Sequence, residues 1–317
     1  MHSAIRLRVP DLLKRRFGRD PGDEEKKKAA EWFQQSITAD RNFAPAYVGL
    51  ANAYSRIWAS ERDEATEFAA AEKAVALDPK SADARIALGD ANWKAGRWME
   101  AEQQFRMAVA FNPNNADSHA NLCNILEVTG RLDEGLKEAE IAQSFDPAHD
   151  HLSWSLYRAR HYDRAIEIGR RFTESHPEDI GAHWSLAQNY FQKQMTSQWV
   201  GELDVFMTSS GFSEVGGHLR QAAASGGYPA ALRQWTKELE HLSSTRKLYW
   251  PGVLAQAYAM LGDKERAFYW LEHAYTHRLQ SHYDPYLWGG LTITPGFDSL
   301  WSDPRYHDLL HRLRLPD

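Results

Sequence analysis

The chain has 317 residues, 43% hydrophobic and 25% charged, enough to bury a sizeable core. It contains no run of 18 or more apolar residues, which excludes a membrane-spanning helix. A net charge of −6 with no basic stripe beyond the first residues argues against nucleic-acid binding, and the single cysteine, Cys123, cannot form an internal disulfide, as expected of a reducing, cytoplasmic setting.

Residues 1–25 form a basic arm (Arg6, Arg8, Lys14, Arg15, Arg16, Arg19) without the apolar run of a secretory signal. The run Lys26-Lys27-Lys28 follows Asp23, Glu24 and Glu25, the pattern of acidic residues entering a helix. A repeating pattern then begins. Pro79, Pro113 and Pro147 are 34 residues apart, and Leu88 to Leu122, Gly96 to Gly130 and Ala108 to Ala142 keep the same step. In the clearest unit, 82–115, Leu88 and Asn92 share one face of a first helix; Ala101, Phe105 and Ala108 share one face of a second. Gly89 and the two alanines let the backbones approach, and Phe105 fills the space they leave. Gly96 supports the turn, and Pro113 ends the second helix.

The same template takes in the rest. Ala29, Phe33 and Ser36 give the second helix of a half repeat. Residues 44–81 carry about four extra residues in their turn, and 150–179 close only 30 residues after Pro147, which predicts a first helix one turn short. Residues 180–213 and 248–281 give two more units. The 68 residues from Leu186 to Leu254 require a degenerate repeat between them, with a bend expected in the Gly/Ser-rich stretch 208–227. The expected organisation is therefore an arm (1–25), a half repeat plus five repeats (26–213), two further repeat-like units (214–281) and a cap (282–317).

The unit 82–115, with Leu88-Gly89, Asn92, Ala101, Phe105, Ala108 and Pro113, resembles the tetratricopeptide repeat. That resemblance implies an all-α, right-handed α-solenoid of tandem helix-turn-helix units, closed by a capping helix. The tail, with Pro295-Gly296-Phe297, Leu300 and Asp303-Pro304-Arg305-Tyr306, is similar to the ends of tetratricopeptide regions in bacterial winged-helix regulators and serine/threonine kinases. The expectation is either a stand-alone scaffold or the sensory region of a longer signalling protein.

No phosphate-binding glycine loop, nucleophile elbow or HExxH helix occurs. His273, His277, His282 and Asp284 have a conceivable zinc spacing, but His277 occupies the slot of Leu77, Phe111 and Phe145 and reads as a partly buried packing residue, and His307 with His311 share the spacing without a third ligand. His149-Asp150-His151 reads as a solvated turn, and Cys123 as a small core residue in the slot of Ala51, Gly89 and Ala187. No catalytic residue, metal or cofactor is expected.

In the tetratricopeptide family the first helix of each unit lines a concave groove. The residue just after the small slot is Asn52, Asp90, Asn124, Gln188 and Gln256, all able to hydrogen-bond a peptide backbone. Trp93, Trp184 and Phe191, with Asn121 and Glu127, stand beside them. These ten residues are the expected partner-binding groove. Val48, Ile86 and Ala120 replace the lysine of a carboxylate clamp, so a chaperone-tail receptor is not expected. The function read from the sequence is a protein- or peptide-binding scaffold; the alternative is a ligand-sensing regulatory region of a bacterial signalling or transcription-control system.

Overall fold

The computed structural model describes residues 23–56, 61–147, 151–245, 250–276 and 290–315. Their regular structure is all helical, with no strand among them, and none of their helices is long and apolar enough to cross a membrane. The chain separates into two compact units, Met1–Ile125 and Leu126–Asp317, a division that falls inside one helix.

Unit 1 contains α1 (Asp23–Ala39), α2 (Ala44–Arg56), α3 (Glu61–Leu77), α4 (Ala82–Lys94), α5 (Trp98–Phe111) and the start of α6 (Ala116–Val128). From α1 to α5 each helix packs on the next, and α2 also touches α4, the alternation expected of antiparallel pairs. The expected half repeat is α1, which buries Ala30, Phe33, Ser36 and Ile37. Two missing side chains set the spacing. A Cβ on Gly49 would lie 2.2 Å from the Phe33 ring, and one on Gly89 would lie 2.3 Å from the Phe105 ring. The pairing of Gly89 with Phe105 is the one read from the repeat.

Unit 2 continues with α7 (Leu132–Phe145), α8 (His151–Arg158), α9 (Tyr162–Ser175), α10 (Ile180–Gln192) and α11 (Thr196–Ser209). Then come α12 (Ser213–Ser244), α13 (Pro251–Met260), α14 (Lys264–Thr276), α15 (Gly290–Ile293), a 3-10 turn (Pro295–Leu300) and α16 (Pro304–Arg312). With 8 residues, α8 is shorter than the 13 of α4 and α10, as the shortened step predicts. The degenerate repeat is α12, broken where Gly227 adopts φ +62°. The turn between paired helices needs a left-handed residue. Gly96, Gly130 and Gly262 supply it, while Arg160 (φ 62°) and Gln194 (φ 54°) adopt it despite their side chains.

One local device escaped the sequence reading. Two residues after each of three closing prolines, Ser81, Asn115 and Asp179 cap the next helix by accepting from the backbone N–H of Ala84 (3.2 Å), Ser118 (2.9 Å) and Ala182 (2.9 Å). Six residues after the same prolines, Arg85, His119 and His183 clasp the carbonyls of Pro79, Pro113 and Pro177. The signal was a polar capper and a basic residue at fixed steps from proline.

Candidate functional site

In unit 1 the expected groove residues are all half-buried: Asn52 on α2, Asp90 and Trp93 on α4, Asn121 and Asn124 on α6. The Trp93 ring meets Trp98, the first residue of α5, edge to face at 5.4 Å. Beside Trp93 the chain has tied up its cations. Lys94 donates to both oxygens of Glu67 (2.8 and 2.9 Å) and to the Ser55 carbonyl (2.9 Å). The Lys94 side chain is 15% exposed and that of Glu67 4%. Burial raises the Glu67 carboxyl above its ordinary value, and the neighbouring Lys94 works against that rise. The Arg97 guanidinium lies 4.2 Å from the centre of the Phe68 ring. Lys94 and Arg97 thus serve the packing of α3.

Unit 2 treats the same slots differently. Gln188 and Gln256 are buried, and the Gln256 side-chain amide donates to Gln188 Oε1 (3.2 Å) and to the Tyr157 hydroxyl (3.3 Å). Tyr157 is itself buried, and loss of water pushes its hydroxyl pKa upward. Glu127 is fully buried, accepting from Ser155 and, at 2.6 Å, from Arg158. Trp184 lies in the core with its ring 5.1 Å from Phe206 and 5.7 Å from Trp250. Phe191 packs 4.9 Å from Trp199 and 5.6 Å from Tyr228. The expectation that Glu127, Trp184, Gln188, Phe191 and Gln256 face an open groove is therefore corrected.

The reason is that the faces meant to line a groove meet the chain itself. Helices α8, α10 and α13 converge through Tyr157, Gln188 and Gln256, and the 3-10 turn packs on α13. A Cβ on Gly296 would sit 2.4 Å from the Gln256 side chain. Flanking bonds hold this tail in place. Thr292 donates to the Val128 carbonyl (3.3 Å), Ser299 to the Ala259 carbonyl (3.2 Å), and Arg160 pairs with Asp298 at 2.7 Å. Phe297, Leu300, Tyr306, Leu309 and Leu310 are buried, and the Tyr306 hydroxyl donates to the Leu291 carbonyl at 2.7 Å. Asp303 caps α16 through the Arg305 N–H (3.0 Å); the Arg305 guanidinium holds its carboxyl down at about 2.

Of the histidines weighed as metal ligands, His307 and His311 are exposed on α16 and His273 is half-buried. His183 bonds Glu202 (2.6 Å) as well as Pro177, and His273 lies 5.5 Å from the Trp270 ring. His277, His282, Asp284, His149 and Asp150 lie outside the described residues. Among the described residues no three His, Cys, Asp or Glu side chains gather as a metal site would need. Cys123 is buried.

A family model described as tetratricopeptide repeat matches residues 68–116, the segment from α3 to the start of α6. Over that segment the helical pairs match the tetratricopeptide repeat. Among solved structures, PilF of Pseudomonas aeruginosa is 18% identical with a TM-score of 0.51, covering 65% of this chain and 93% of PilF. A thermophilic TPR protein of Thermus thermophilus is 14% identical with a TM-score of 0.51, covering 60% of this chain and 98% of its own. Human IFIT1, in a dimer with m7Gppp-AAAA, is 15% identical with a TM-score of 0.57, covering 88% of this chain and 72% of its own. At such identities the likeness speaks for the tetratricopeptide fold alone. No curated protein matches the sequence.

Proposed function

We propose that this tetratricopeptide-repeat chain is a scaffold without chemistry of its own, and that it holds a protein or peptide on the first-helix face of unit 1. The observation that supports the reading is selective exposure. Asn52, Asp90, Trp93, Asn121 and Asn124 keep accessible surface, whereas their counterparts in unit 2 are spent on internal packing. Polar side chains recur at the slot held by Asn52, Asp90 and Asn124, which suits an extended backbone, and Trp93 offers a flat apolar anchor.

The test starts from proteins captured by the immobilised chain, each then titrated in purified form. Trp93→Ala is expected to weaken binding by about 2 kcal/mol, roughly thirty-fold, with an unchanged circular dichroism spectrum. Glu72→Lys, on the exposed side of α3, is expected to leave binding unchanged. A partner that tolerates Trp93→Ala and is lost with Glu72→Lys would overturn the reading.

A further inference from the structure

In unit 2 a cavity of about 500 Å³ opens between α14 and α16, away from the first-helix slots. On α14, Glu265, Tyr269 and Glu272 recur one turn apart and so share a face; Pro304 and Asp308 form the opposite wall. The buried Phe268 ring and Arg305 complete the lining. The volume lies within the ordinary range of small-ligand pockets, ample for one long side chain.

The protein's own arginines show what this neighbourhood accepts. Arg305 lies 4.0 Å from the centre of the Phe268 ring while pairing with Asp303 (2.9 Å) and Glu265 (3.0 Å). Arg312 lies 4.7 Å from the centre of the Tyr275 ring while pairing with Glu272. Each guanidinium sits on an aromatic face with a carboxylate at its edge, the arrangement that most favours a cation outside water. Tyr269 repeats the pattern with no cation over its ring among the described residues. It is 59% exposed, and its ring is propped edge-on by Trp270 at 5.3 Å. Across from it the Asp308 carboxylate is 68% exposed and lies 2.9 Å from Arg312 Nε, out of hydrogen-bonding alignment. Three carboxylates line the cavity, Glu265 beside Arg305 and both Glu272 and Asp308 beside Arg312, so the two guanidinia leave it one negative charge in excess.

We infer that this cavity receives a basic side chain, arginine or lysine, from a protein partner. The cation seats on the Tyr269 ring between Glu265 and Asp308. The site is independent of the face proposed for unit 1, and a partner engaging both would bind with two separable contributions.

The test uses the whole chain and a fluorescein-labelled hexapeptide of alternating glycine and arginine, followed by anisotropy at low salt. Saturable binding is expected, weakened about five-fold or more by Tyr269→Ala and again by Asp308→Asn, and unaltered by Trp93→Ala. A peptide with citrulline for arginine, identical in shape but uncharged, is expected not to bind. Three results would each overturn the proposal: no binding at about 1 mM peptide, near the weakest affinity worth calling a site; equal binding to the parent and to both cavity variants; or loss confined to Trp93→Ala. The last would move the basic peptide to unit 1 and leave that reading standing.

Discussion

The two units use one repeat to opposite ends. In unit 1 the residue after the small slot is Asn52, Asp90 or Asn124, and each keeps part of its surface; in unit 2 it is Gln188 or Gln256, and the two amides bond each other in the core. An amide carried one methylene further out can reach across to another helix. The lesson is that a slot's position in the repeat decides which way it points, and the rest of the chain decides what it meets there.

Tryptophan separates the units most sharply. Trp184→Ala removes a buried ring from contact with Phe206 and Trp250, and is expected to cost about 3–5 kcal/mol of stability in urea denaturation. Trp93→Ala, at a half-buried position, is expected to cost about 1 kcal/mol or less. Equal costs would erase the contrast.

The buried pair in unit 1 comes next. Glu67→Ala takes the carboxylate away from the Lys94 ammonium, whose side chain is 15% exposed, for an expected loss of about 3 kcal/mol. The pH dependence has a definite sign. Because the folded carboxyl lies above 4.5, it binds more protons folded than unfolded; its contribution is present below 4.5 and is lost as pH rises through the folded value. Glu67→Gln keeps the protonated shape, so its melting temperature relative to the parent is expected to climb across that window. A difference that falls with pH would contradict the assignment.

In unit 2, Gly296→Val drives a side chain into Gln256, with an expected cost on the order of 1–3 kcal/mol. Smallest are the turn residues. Gln194→Gly relieves a left-handed glutamine and is expected to stabilise by roughly 0.5 kcal/mol. Gly130→Ala, at φ +81° with open space around it, is expected to cost about 1 kcal/mol through the backbone alone. Thermal melts of both variants give the two signs.

The fold was legible because the repeat writes its nearest-neighbour packing into the sequence. Gly89 against Phe105, the turn at Gly96 and the stop at Pro113 each carry a local physical requirement, and the step of 34 shows them recurring. The burial of the unit 2 slots was not legible. Tyr157 and Gln256 are 99 residues apart, and Trp184 meets Trp250 across two repeats, contacts on which a nearest-neighbour period is silent. The tail motif pointed to a capping helix, but not to Gly296 pressed against Gln256.

Accessibility at the shared slot is the most direct test of whether unit 1 is open and unit 2 sealed. In a Cys123→Ala background, Asn52→Cys and Gln188→Cys place one thiol each in the same register of the repeat, and their labelling by a maleimide is timed under native and denaturing conditions. The account predicts that position 52 labels within a few-fold of its denatured rate, while position 188 is slowed by the cost of opening the core, about 100-fold or more for an opening of some 3 kcal/mol. Equal native rates at the two positions, or faster labelling at 188, would contradict it.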